Sequence, residues 1–258
     1  IGFVLASMAD TVGAVMMLAV QSLILSIGAI AYYRLDVPLV KSARTQARIL
    51  NQLVESITEG FRSVMASPGM RMVVLQNCAM GIFFMGSYIV TVPLLIREVY
   101  SGSSTELSLI NAANSLGLFL TIVVLLRVGD IKRQGRALLV AQGIGALVLS
   151  AAAIQVSFIT LMAILFVWGM CGGIAMTMAR TIMQEQSDEH QRGRMMGFYA
   201  FSFMGSGPIG ALLSGYLVTW FGPSITLAIA SLSMFVVVVL VGTRSNLWHL
   251  SSKTKPRE

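Results

Sequence analysis

Residues 195–243 read MMGFYAFSFMGSGPIGALLSGYLVTWFGPSITLAIASLSMFVVVVLVGT, 49 positions without a charged side chain. A hydrocarbon core about 30 Å thick takes about 20 helical residues, so this run is long enough for two crossings of a membrane. Trp220-Phe221-Gly222-Pro223, near its middle, supplies the return. Pro223 suits the first turn of the second crossing, because the N–H it lacks has no intrahelical partner there. Working outward, charge-free runs recur at 11–33, 72–96, 107–126 and 137–179. The last divides again, at Gln155-Val156-Ser157. Seven full spans follow, at 11–33, 72–96, 107–126, 137–156, 158–179, 195–219 and 223–243, and residues 1–9 read as the end of an eighth. The runs are too long for barrel strands and lack their in–out alternation.

Composition agrees. Of the 258 residues 56% are hydrophobic and 11% charged, whereas soluble domains carry about 25% charged residues. The fold class is therefore an all-α membrane protein. With residues after 243 placed in the cytoplasm, threading the spans backwards puts 34–71, 127–136, 180–194 and 244–258 on that side. These segments hold 17 of the 18 Lys and Arg, and only Arg97 falls outside. Basic residues near span ends hold a loop on the cytoplasmic side, so the asymmetry sets the orientation. The net charge of +7 then needs no nucleic-acid partner, since anionic inner-leaflet lipid attracts it.

The long polar stretch 34–71 separates two spans from six. Within it Leu50, Leu53, Val54, Ile57, Phe61, Val64 and Met65 recur at helical steps, with Lys41, Arg44, Arg48, Glu55, Glu59 and Arg62 on the other face. That is an amphipathic helix, lying on the inner membrane surface or packed as a linker on the ends of the spans. Ser67-Pro68 reads as cap and first turn of the next helix. Ser103 to Glu106 has capping-box spacing. The chain opens inside an apolar run with neither Met nor a signal-peptide layout, which reads as an upstream truncation. The expected organisation is 1–33 as the last two spans of an N-terminal bundle, the first partial. A linker (34–71), a six-helix bundle (72–243) and a cytoplasmic tail (244–258) follow.

Chemistry is sparse. Cys78 and Cys171 lie inside spans as small packing residues. No phosphate loop, dinucleotide fingerprint or metal-ligand spacing occurs, so neither an enzyme, a cofactor nor a metal site is expected. No full span contains Asp, Glu, His, Lys or Arg. A proton-coupled carrier normally needs a titratable group in the membrane, so the coupling acid is expected upstream.

Three stretches carry a resemblance. They are Glu59-Gly60-Phe61-Arg62 through Ser67-Pro68, Arg180 to Glu185 with Gln191 to Met196, and Phe203-Met204-Gly205-Ser206-Gly207-Pro208-Ile209-Gly210 on to Gly215. Together with the linker layout they resemble the major facilitator superfamily, closest to its enterobactin-exporter-like and macrolide-efflux-like branch. The run 126–136 departs from the family loop, with its glycine displaced and one extra residue before Gly135-Arg136. The resemblance implies a major-facilitator-type helical bundle, truncated here, whose two halves rock around a cavity. It implies a secondary-active transporter in a bacterial inner membrane, exporting a small amphipathic compound (a drug or siderophore-like metabolite) by alternating access. Protons are the implied coupling ion, and the missing half is required. A facilitator or importer of the same fold, or a scaffold or sensor without flux, are the alternatives.

The resemblance also nominates residues. The first helix of each three-helix repeat lines the family's cavity, here 72–96 and 158–179. Asn77, Phe84 and Tyr88 share a helical face, as do Trp168, Gly172 and Ala175. Asn111 and Asn114, then Tyr199 and Phe203, are next. Each could instead serve interhelical packing or hydrogen bonding. The 17 methionines offer an adaptable lining or plain lipid-facing filler. Arg127, Asp130, Arg133, Arg180, Glu185, Arg192 and Arg194 lie at the cytoplasmic mouth, as a latch between states or as topology anchors. Pro93, Gly172, Gly205, Gly207, Pro208 and Gly210 suit bending or close helix packing, or else contact with substrate.

Overall fold

The computed structural model describes residues 60–129, 131–188 and 191–250, with 19, 22–28, 30 and 58. The remaining positions of the expected first span and of the linker helix, including Leu50, Leu53, Val54 and Ile57, lie outside the described residues, as does the tail from 251.

Counting helices from Pro68, α1 is Pro68–Met80, followed by π-helical turns at Gly81–Met85 and Ser87–Thr91 and by α2, Val92–Glu98. Then come α3 (Ser104–Val128), α4 (Gln134–Ala151), α5 (Phe158–Gln186), α6 (Arg192–Met204) and α7 (Gly207–Arg244). A 3-10 turn, Asn246–His249, ends the described chain. Among the described residues five helical segments are long and apolar enough to cross a membrane: Pro68–Glu98, Ser104–Val128, Gln134–Ala151, Phe158–Gln186 and Arg192–Arg244. The last has 53 residues, about 80 Å at 1.5 Å per residue, far beyond one crossing. Its helix is broken at Gly222, with φ 75° and ψ 170°, a left-handed backbone that favours glycine. Pro223 follows at once.

Neighbours show that the chain turns back there. A methyl on Gly81 would run into Ser206, and one on Gly86 would sit 2.8 Å from the Gly210 Cα, so Pro68–Glu98 and the first limb of Arg192–Arg244 run parallel. Gly143 faces Val238 and Gly242 faces Leu139, so the second limb runs antiparallel to α4. Asn114 and Thr121 meet Gly169 and Gly173, so α3 and α5 run parallel. Six limbs alternate in direction.

The ends are defined by their locks. At one end Ser67 Oγ donates to Gln186 Oε1 (2.9 Å), Gln134 Nε2 to Glu185 Oε1 (2.8 Å) and Ser63 Oγ to Gln191 Oε1 (3.1 Å). There too Arg136 stacks 5.1 Å over the Trp248 ring. At the other end Tyr100 donates to the Val156 carbonyl (2.9 Å) and packs against Phe158. Among the described residues Arg97 is the one cation at that second end.

Both expected caps form. Ser67 accepts from the Met70 N–H, with Pro68 in the first turn. Ser103 and Glu106 make a reciprocal capping box. Three details differ from the sequence reading. The helix expected over 137–156 stops at Ala151, where two turn residues precede the Gln155–Ser157 connection. The helix expected over 195–219 is interrupted at Gly205-Ser206, because Pro208 has no N–H to offer the carbonyl four residues back. Pro208 therefore opens α7 rather than bending its interior. The helix expected over 72–96 carries the two π turns, and Pro93 follows them in the first turn of α2. Pro93 denies its i−4 carbonyl, that of Ile89 in the second π turn, a donor, and a wider i→i+5 turn there relieves the clash; the turn at Gly81–Met85 lies beyond its reach.

Large apolar side chains such as Leu116, Phe119, Leu126 and Leu212 lie outside, as a lipid-facing surface requires. Between helices already in lipid, van der Waals fit rather than removal from water gives the attraction. That is why glycines sit at the crossings. A methyl on Gly210 would overlap the Ile82 backbone, and methyls on Gly117 and Gly169 would overlap the Phe166 and Asn114 carbonyls.

Candidate functional site

A cavity of about 270 Å³ lies within the bundle between the Pro68–Glu98 segment, α3, α4, α5 and Phe203 of α6. Its aromatic wall is built around Trp168, whose ring centroid is 5.5 Å from both Phe84 (edge-on, 80°) and Tyr88 (tilted, 40°). Phe84 and Tyr88 reach it from the two π turns, and Met80, Met85 and Met176 add thioethers. Soft sulfur and aromatic edges attract one another and adapt to a guest's outline.

Small residues make the space. The α3–α5 crossing is closed by Gly117, Gly169 and Gly173, and Gly145 lets α4 come up to Cys171 and Trp168. Gly172 behaves differently. A methyl there would meet nothing within 4 Å, and the residue lines the cavity. α5 runs unbroken past it, so close packing and bending at Gly172 are not what the structure has. Gly215 likewise faces open space. A methyl on Gly205 would first meet Phe201 of its own turn, whereas one on Gly207 would meet Met85.

Of the residues nominated from sequence, Phe84, Tyr88, Asn114, Trp168, Gly172, Ala175 and Phe203 meet in this cavity. Asn77, Asn111 and Tyr199 are not among its lining residues. Asn77 is buried and donates to the Tyr199 carbonyl (3.0 Å) and to Ser202 Oγ (2.9 Å), tying α1 to α6. Asn111 Oδ1 accepts from the Tyr88 hydroxyl (2.5 Å), which fixes that ring from behind. The Tyr199 hydroxyl donates to the Met176 carbonyl (3.2 Å). Asn114 donates to the Leu165 carbonyl (3.1 Å) across the α3–α5 crossing.

Sequence reasoning missed Gln142 on α4, whose Nε2 points at Met80 Sδ (3.6 Å) and whose Oε1 is buried without a partner. The signal was present: an amide inside an apolar span is costly. It also missed Gly81 and Gly86 as the partners of Ser206 and Gly210.

At the basic end Arg127, Arg133, Arg180, Arg192 and Arg194 are exposed. Glu185 is half-buried and bonded to Gln134. Asp130 lies outside the described residues. Arg133 lines a cleft of about 400 Å³ with Arg136, Trp248 and His249.

The sequence profile of the Major Facilitator Superfamily matches residues 77–257. An uncharacterized MFS-type transporter of Bacillus subtilis (strain 168), YwfA, is 26% identical over 140 residues, which cover 54% of this chain and 32% of that relative. The aligned part is thus about a third of the relative's length.

Proposed function

The chain belongs to the Major Facilitator Superfamily, a family of membrane transporters, and we propose that the protein exports a small amphipathic compound by alternating access, driven by protons. The observation that carries this reading is the cavity walled by Phe84, Tyr88, Trp168 and Phe203 in the middle of charge-free helices. An aromatic and thioether pocket with a few amides suits a partly apolar guest. In the topology we adopt, the end bearing Arg71, Arg136 and Arg244 faces the cytoplasm of a bacterial inner membrane. Residues 72–243 form one six-helix bundle, and 34–71 links it to the spans before it. The exposed arginines at 127, 133, 180, 192 and 194, with Asp130 and Glu185, form the cytoplasmic gate, where charge pairs make and break between states.

A second reading is a facilitator of the same architecture. It is favoured by the lining itself, which among the described residues holds no carboxylate, imidazole, amine or guanidinium to carry a proton. Flux of a fluorescent amphipathic dye into proteoliposomes holding the whole protein separates the two. Export coupled to protons predicts transport that rises when a pH gradient is imposed and that is mostly lost in Trp168→Ala. Equal flux with and without the gradient supports the facilitator. Flux no greater than in protein-free vesicles overturns both.

A further inference from the structure

We propose that Gln142 is the polar recognition point of the cavity, and that the cavity takes a neutral, planar, ring-sized group presenting one N–H or O–H donor to Gln142 Oε1. The inference rests on the cavity being the substrate site. Four observations converge on it. Gln142 is 3% exposed and lines the cavity. Its Nε2 faces the Met80 thioether, a weak acceptor, and its Oε1 has no partner. Of the other polar groups nearby, the Tyr88 hydroxyl is spent on Asn111 and the Asn114 Nδ2 on the Leu165 carbonyl. No titratable acid lines the wall among the described residues, so a fixed cation would lack its counter-ion, while a neutral donor suits a lone carbonyl oxygen.

A buried acceptor left unmade is costly, and a site that carries one rejects guests unable to satisfy it. Gln76 also buries an amide without partners, but it is not among the cavity's lining residues and so offers nothing to a guest. Shape supplies the rest of the argument. The Trp168 ring with Phe84 at its edge and Tyr88 tilted against it presents flat faces, and aromatic guests gain from offset or edge-on contact. About 270 Å³ falls just below the roughly 300–1,000 Å³ of ligand pockets, which fits one or two fused rings and not a macrocycle.

Indole and N-methylindole are paired probes: methylation removes the donor and adds one methyl group, whose own effect is read from Gln142→Leu. Equilibrium binding of each, radiolabelled, is measured on the whole protein in nanodiscs. We expect indole to bind about tenfold more tightly, equivalent to about 1.4 kcal/mol. Gln142→Leu is expected to erase that preference while N-methylindole binding stays, and Trp168→Ala to weaken both probes. The thermal midpoint of Gln142→Leu should equal or exceed that of the parent, because a buried carbonyl oxygen without a partner is removed at the loss of only a weak N–H to thioether contact; a clear fall means that the oxygen is bonded within the fold and overturns the assignment. If both probes bind equally to the parent and both respond to Trp168→Ala, the Gln142 role fails and the cavity stands. Should the probes bind but ignore Trp168→Ala, the cavity reading falls with it. Absence of binding by both probes overturns the proposed guest class.

Discussion

Asn77 shows how one buried amide can hold two helices together. Both protons of its Nδ2 are used, on the Tyr199 carbonyl and on Ser202 Oγ. Asn77→Leu removes both bonds between α1 and α6, although the Tyr199 carbonyl keeps the Ser202 hydroxyl as a donor. A hydrogen bond nets about 1 kcal/mol in folded proteins and averages about 0.6 kcal/mol between membrane helices, so a loss of about 1–2 kcal/mol is expected, read as a lowered thermal midpoint in detergent. Asn77→Asp is expected to be worse, since it buries a charge beside an acceptor. The cost of a polar side chain in lipid was readable from sequence, and it points Asn77, Asn111 and Asn114 toward protein or cavity. Which of the two each one faces was not, because the rule prices the amide and says nothing of its partner. The i, i+7, i+11 spacing joined Asn77 to Phe84 and Tyr88 on the assumption of 3.6 residues per turn. The π turns at Gly81–Met85 and Ser87–Thr91 intervene, and only the two aromatic residues reach the cavity.

At the scale of elements, the crossing of the Pro68–Glu98 segment with α7 depends on glycines from both sides. Gly86 and Gly210 lie so close that a methyl on either would sit within 2.8 Å of the other helix's backbone, where no rotamer can relieve it. Gly→Ala inside a helix is otherwise favoured by up to about 1 kcal/mol, so the sign of the change discriminates. Gly86→Ala and Gly210→Ala are expected to destabilise by about 1–3 kcal/mol through overpacking. Gly215→Ala and Gly172→Ala, where a methyl meets nothing, are expected to be neutral or slightly stabilising. Thermal unfolding of the four variants in one detergent checks the contrast, and a fall of equal size at Gly215 would contradict the packing. The run Gly205 to Gly215 advertised close approach in the sequence, yet it named neither the opposing helix nor which glycines touch it. Gly81 and Gly86 lie in an ordinary apolar run, where a glycine's partner is set by the crossing and leaves no local pattern. The π turns were hidden for a related reason. Pro93 announced a disturbance in the turn before it, but the earlier turn at Gly81–Met85 carries no such mark, and α7 packs against both.

For the whole molecule, direction follows from charge and count together. Six limbs of alternating direction return the chain to the end it left, so Arg62 and Arg71 lie at the same end as Arg136, Arg192 and Arg244, while Arg97 lies at the opposite one. This asymmetry was fully legible in the sequence, since it requires only the charge-free runs and the positions of Lys and Arg. Cytoplasmic retention of basic loops and their attraction to anionic inner-leaflet lipid, about 1 kcal/mol per cation, both favour one orientation. It can be read with a membrane-impermeant maleimide on intact cells. Ser101 and Asp188 are both exposed and lie at opposite ends, whereas Cys171 is buried and Cys78 half-buried within the helices. Ser101→Cys is expected to be modified from outside, and Asp188→Cys only after permeabilisation, with the parent protein unlabelled in both conditions. The reverse pattern would put the arginine-rich end outside, and the gate assigned there would then control the opposite mouth of the cavity. Labelling of both sites in intact cells would mean an even number of crossings between them, against the three long apolar helices that separate the two sites, and would overturn this topology.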